Sequence, residues 1–217
     1  MTPDDLLPRL RDANSSVRMQ AAMAAGTGKD PAAVDLLVER CGVEPDFFVR
    51  DMLTWALTRL PADLTVPRLV DELSSPFPQA RSQALHTLSK IADPRARPAI
   101  TDALLHDEED EVAKAAWRAA VVLVPSGEEA ALAADLAQEL GRRDPESRRG
   151  LTRAFVALGE PARGVLDHAT GVGAFAARVH AVATLLIFDG FERDHRAATE
   201  KARQLVLDAG GEPVRIV

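Results

Sequence analysis

Apolar residues recur along the chain in short stripes of helical spacing. From Arg50, residues Leu53, Leu57 and Leu60 follow at plus three, plus seven and plus ten, and Pro61 ends the run. The same offsets from Arg81 give Ala84, Leu88 and Ile91 before Asp93-Pro94, and from Arg148 they give Leu151, Phe155 and Leu158 before Pro161. Arg178 leads Ala181, Leu185 and Phe188; Ala113 leads Ala116, Ala120 and Leu123; Arg18 leads Ala21 and Ala25. Such offsets mark one face of a 3.6-residue period. The anchors at 18, 50, 81, 113, 148 and 178 are separated by 32, 31, 32, 35 and 30 residues, so the chain is an internal repeat.

A shorter apolar stripe precedes each anchor, as in Val34/Leu37/Val38, Val66/Leu69/Val70/Leu73 and Leu132/Leu136/Leu140. Polar turns such as Asp12 to Ser16, Glu44-Pro45-Asp46 and Arg143-Asp144-Pro145 separate the two stripes. Their Asp and Ser side chains suit the free N–H groups at the start of the next helix. Proline opens the next unit at Pro31, Pro61, Pro94 and Pro161, where a missing N–H costs nothing. The pattern predicts an all-α fold: an α-α superhelix of about six helix pairs, with no strand demanded anywhere. The repeats fall at about 4–28, 31–60, 63–92, 94–125, 128–159 and 161–189. A helix over 193–209 closes the last layer with Ala198, Ala202, Leu205 and Ala209, completing a single domain over 1–210 with a loose tail over 211–217. The sixth unit is expected to have a short, glycine-rich first helix. One pair cannot bury both its faces, but stacked pairs can, giving a one-dimensional core.

The run Asp93-Pro94-Arg95-Ala96-Arg97-Pro98-Ala99-Ile100, then Ala103-Leu104-Leu105-His106-Asp107, then Glu111-Val112, resembles the HEAT repeat. It is most similar to the short form named after phycobilisome lyases, whose period is below the ~40–47 residues of ordinary HEAT units. The resemblance covers residues 4–190, and the fourth unit departs from it by carrying Ala113 where Arg is usual. It implies a HEAT-like solenoid whose second helices line a concave surface. Tetratricopeptide arrays expect a Tyr in each unit, and the chain has none.

Composition narrows the role more than it identifies it. With 217 residues, 47% of them hydrophobic, the chain has ample core material. A net charge of −7 argues against attachment to DNA by general charge, although a local basic face is compatible with it. The acidic start Met1 to Asp5 has no apolar segment of a signal peptide, and Arg178 and His180 interrupt the most apolar stretch. A cytoplasmic protein without membrane contact is expected. Only four of 26 basic residues are Lys, a bias that points to a GC-rich bacterial genome.

Catalytic motifs are few. Gly26-Thr27-Gly28-Lys29 lacks the Gly and the Ser or Thr of a phosphate loop at Met23 and Asp30, and reads as a helix end. No Gly-x-Ser-x-Gly or His-Glu-x-x-His occurs. His106 beside Asp107 to Asp110 reads as a solvated turn, and Cys41 as a small residue at a helix end. No catalytic residue, cofactor or metal is assigned.

The second helix of each unit carries the more informative residues. If plus three, seven and ten face the core, plus one and plus five face the groove. The middle four units then present Trp55, His86, Arg118 and Arg153, flanked by Asp51, Ser82, Lys114 and Arg149. Folding does not require these residue types there. Trp117, at plus four, is expected in the core, and a one-position change of register would place Trp55 there too. Arg supplies bidentate donors and Trp an apolar anchor, a combination suited to an acidic or amphipathic segment of a partner protein. The expectation is a non-enzymatic interaction scaffold, with a regulatory role as one option. The alternatives are a HEAT-like DNA alkylpurine glycosylase or another nucleic-acid-binding repair protein, and a bilin-lyase-type chaperone.

Overall fold

A computed structural model describes residues 3–214. The outermost residues of the acidic start and of the predicted tail, 1–2 and 215–217, lie outside the described residues. The described chain is all-helical and contains no strand. Among these residues no helix is long and apolar enough to cross a membrane. The chain divides into two compact units, Met1–Leu123 and Val124–Val217.

The first unit holds α1 (Pro3–Leu10), α2 (Ser15–Gly28), α3 (Val34–Val43), α4 (Phe47–Thr58), α5 (Ala62–Glu72), α6 (Pro78–Ile91), α7 (Asp102–Leu105) and α8 (Asp110–Leu123). The second helices stack in order, α2 on α4, α4 on α6 and α6 on α8. Their plus-three and plus-seven residues, among them Ala21, Leu53, Leu57, Ala84, Leu88, Ala116 and Ala120, are all buried. Asn14 caps α2 by accepting from the Ser16 N–H, and Asp46 caps α4 by accepting from those of Phe48 and Val49. Lys29, in the left-handed region with φ 54°, ends α2 by donating its N–H to the Ala25 carbonyl. The Gly26–Lys29 run is therefore a helix C-terminus. Gly26 itself is required by packing: a Cβ there would lie 2.6 Å from the Trp55 ring and 2.8 Å from Ala56 Cα.

The fourth repeat departs from two full helices. Its first half is a 3-10 segment, Pro94–Ala99, followed by the single turn α7. Pro98, inside this segment, lacks the N–H that a continuous α-helix would bond to the Pro94 carbonyl, whereas Pro94 at the first position costs nothing.

The second unit holds α9 (Glu129–Leu136), α10 (Pro145–Leu158), α11 (Glu160–Gly171), α12 (Phe175–Phe188) and α13 (His195–Asp208). The expected short first helix of the sixth repeat is instead the 12-residue α11, with Pro161 in its first turn and its glycines at tolerant or terminal places. The capping helix is α13. Its Ala198, Ala202 and Val206 pack against Val179, Val182, Ala183 and Leu186 of α12. Of the predicted tail, Glu212 is held, its carbonyl accepting from Arg178 Nη2 at 2.7 Å.

The anchor arginines have a common structural use. Arg18 donates to the carbonyls of Asp12 and Ala13, Arg50 to those of Glu44 and Pro45, and Arg81 to that of Ser75. Each thus ties its own helix to the turn five or six residues before it. Two of them also reach one repeat forward: Arg18 pairs with the fully buried Glu44 at 2.7 Å, and Arg81 with Asp107 at 2.9 Å. Burial raises the Glu44 carboxyl, but hydrogen bonds from Arg18, the Asp46 N–H and Arg40 prevail and hold it below its ordinary value.

Candidate functional site

The plus-five positions of the first unit come to the surface. Trp55 on α4 is 37% exposed, His86 on α6 is half-buried and Arg118 on α8 is exposed. The Trp55 ring rests on Gly26 on one side, and the Arg59 guanidinium lies 5.0 Å from its centroid. Arg59 Nε also donates to the Gly26 carbonyl at 3.2 Å, which fixes the stack across two repeats. One turn pair further on, Arg118 Nη1 lies 3.0 Å from His86 Nδ1. A guanidinium can only donate, so Nδ1 accepts and the imidazole is neutral with its proton on Nε2. Burial, followed by Arg118 and Lys90, holds His86 below its usual value against the pull of Asp51.

The plus-one positions are more varied. Asp51 is exposed. Ser82 is buried, with its hydroxyl donating to the Gln79 carbonyl at 3.1 Å, and presents nothing to a groove. Lys114 donates to Glu111 at 2.7 Å with its side chain largely covered. Trp117 is core, 1% exposed, and its indole N–H donates to the Leu105 carbonyl at 2.8 Å. Cys41 is buried too, and desolvation pushes its thiol up to about 12.

In the second unit, Arg149 and Arg153 lie one turn apart on α10, both exposed. Beneath them lies a buried polar cluster that the repeat pattern does not reveal. His180 of α12 is 3% exposed; its Nδ1 accepts from the Gly141 N–H, and its Nε2 donates to the Arg148 carbonyl at 3.1 Å. Thr152 Oγ1 sits 3.1 Å from His180 Nε2, 3.0 Å from Thr184 Oγ1 and 3.4 Å from His195 Nε2. Burial, then the His195 ring, pushes His180 down to about 3. His195 is also lowered, by burial first and then by Arg149, Arg148 and Arg153 on α10. The two rings stand 6.1 Å apart, edge to face. His195, Arg196 and Arg203 on α13 were legible only as the polar face of a cap; their i, i+1 and i+8 spacing on one helix was the available signal.

Stacked second helices that expose a mixed aromatic and cationic row define a helical-repeat protein of the α-solenoid class. The chain belongs to the HEAT-repeat family: the model of HEAT repeats matches residues 3–58 and 66–149. Solved structures of similar fold include an engineered protein of the Northeast Structural Genomics Consortium, 21% identical over 98% of this chain and 99% of that one, with a TM-score of 0.48. The complex of CpcE and CpcF of phycocyanin lyase from Nostoc sp. PCC7120 is 20% identical over 95% of each chain, with a TM-score of 0.38. Human deoxyhypusine hydroxylase in complex with glycerol is 17% identical over 94% of each, with a TM-score of 0.46. Comparison with curated protein sequences finds no match.

Proposed function

We propose that this protein is a non-enzymatic, cytoplasmic interaction module whose first unit docks an acidic or amphipathic segment of another protein on the faces of α4, α6 and α8. The observation that carries the reading is Trp55, a large ring left 37% exposed beside Arg59 and in line with His86 and Arg118. A ring held by a guanidinium and a glycine is pre-ordered, so little side-chain entropy is lost when a partner covers it. Arg118 would meet a partner carboxylate with paired donors. Arg149 and Arg153 carry similar charge on the second unit, and Asp51, with Lys114 already paired, tempers the row.

The test is affinity capture from host lysate at ~0.15 M salt, which screens weak surface charge. Wild type is compared with Trp55→Ala/Arg118→Glu and with Arg95→Glu, a charge reversal away from the row. A protein partner recovered by wild type and Arg95→Glu, but not by the double variant, supports the reading. Identical recovery by all three removes it. Loss of bound nucleic acid instead of protein would move a nucleic-acid-binding role to the front.

A further inference from the structure

The N-terminal turns of three helices in the second unit converge on one cavity. Its volume is about 530 Å³, within the ~300–1,000 Å³ usual for small-molecule sites. Pro145 of α10 and Phe175, Ala176 and Val179 of α12 supply a mainly apolar lining. The charged groups are four guanidiniums, Arg148 and Arg149 of α10 and Arg196 and Arg203 of α13, against one carboxylate, Glu200. Excess cationic charge is concentrated here on a chain of net charge −7.

The arginines differ from those that build the fold. Arg18, Arg40, Arg68, Arg81, Arg95 and Arg163 each pair with a carboxylate. Among the described residues, Arg149, Arg196 and Arg203 form no ion pair, and Arg148 reaches only the Asp144 carbonyl, at 3.4 Å. Each pocket helix is 14 residues long and lines the cavity with residues of its N-terminal part. Asp144 and Asp194 cap α10 and α13, whereas α12 is preceded by Ala174, which offers no side-chain cap, and its first two residues, Phe175 and Ala176, line the cavity. Gly141, at φ 75°, seats that end: a Cβ there would collide with the backbone of Ala176 and Ala177.

We infer that this cavity is a binding site for a small amphipathic organic anion, with its carboxylate or phosphate head among Arg148, Arg149, Arg196 and Arg203 and its apolar body on Phe175 and Val179. Guanidiniums pair with either oxyanion in bidentate geometry, and uncapped N–H groups at the start of α12 add donors. The apolar lining sets the second half of the specificity, because an inorganic ion would leave it uncovered. This site uses Arg149, but none of the residues on α4, α6 and α8, and it takes a small molecule instead of a protein segment.

Isothermal titration of the whole protein with octanoate and octyl phosphate, against 1-octanol and inorganic phosphate, tests the assignment. Saturable 1:1 binding of at least one octyl anion is expected, at least tenfold tighter than octanol and than inorganic phosphate. The tighter of the two anions names the head group. Arg149→Ser/Arg196→Ser, whose native side chains are exposed and unpaired, should keep the wild-type melt and lose at least tenfold in affinity. The His195 ring protons locate the ligand: they should shift on binding, and a bound anion should raise the ring's pKa. That ring faces Arg148, Arg149 and Arg153 of α10, His180 of α12 and Asp194 at its own helix start. Octanol binding as tightly as the anions, inorganic phosphate matching octyl phosphate, undiminished binding by the variant, no binding at all, or binding that leaves His195 unmoved would each overturn the proposal.

Discussion

Three single residues carry much of the packing argument. Gly26 lets the Trp55 ring and Ala56 close against α2. Gly26→Ala must displace a backbone atom, so it should destabilise the protein by about 1–3 kcal/mol in urea unfolding. Because Trp55 is 37% exposed, Trp55→Ala should cost less than the ~3–5 kcal/mol of a fully buried ring. A loss in that full range would place Trp55 in the core and withdraw it from partner binding. His180 makes a pH-dependent contribution. Its folded value of about 3 lies below the ordinary 6.5, so the stability held by the neutral ring is fully present above pH 6.5 and is lost as the pH falls toward 3. The slope is about 1.4 kcal/mol per pH unit, or roughly 2 kcal/mol between pH 6.5 and 5. Urea midpoints should show wild type losing that much more than His180→Gln across this interval. Equal losses would mean that the imidazole is not held neutral.

At the scale of elements, the repeat is built from a helix pair and an arginine that ties its turn. Arg18, Arg50 and Arg81 do this with main-chain carbonyls, and Arg18 and Arg81 add a carboxylate from the following repeat. Glu44→Ala would leave Arg18 and Arg40 facing a vacated, buried position, and a cost of about 3–5 kcal/mol is expected in chemical unfolding. A cost under 1 kcal/mol would show that solvent already reaches the pair. The anchors were legible because a fixed offset recurred; their bonds were not, because a period says where a residue lies and not what it touches. Ser82 illustrates the same limit. It shares the plus-one offset with exposed Asp51, yet its short side chain is buried with the hydroxyl turned back to the Gln79 carbonyl. The 3-10 start of the fourth repeat was written in Pro98, four residues into the segment, which the apolar stripe masked. The cavity of the second unit was least legible. It joins residues near 148, 176 and 196, and α13 lies outside the repeat register, so no periodic reading brings them together.

The whole molecule adds an electrostatic condition to its own proposed interaction. Its net charge of −7 repels an acidic partner at long range, while Arg59, Arg118 and the neighbouring cations attract it at short range. Ionic strength selects between the two. The Debye length is ~30 Å at 0.01 M, ~10 Å at 0.1 M and ~3 Å at 1 M. At 0.01 M an approaching acidic segment senses the summed charge of the chain. At 0.1 M it senses mainly the cationic row within about 10 Å, and at 1 M even that attraction is screened. The association rate of an acidic partner should therefore rise from 0.01 M to about 0.1 M salt and fall again toward 1 M. Dissociation, governed by the buried contact with Trp55, should change much less. Surface plasmon resonance with the captured partner, or with an acidic amphipathic peptide, separates the two rates. A rate that falls steadily from 0.01 M upward would mean that the local cations outweigh the net charge at every distance. A rate indifferent to salt would remove Arg118 from the encounter and leave Trp55 as a purely apolar contact.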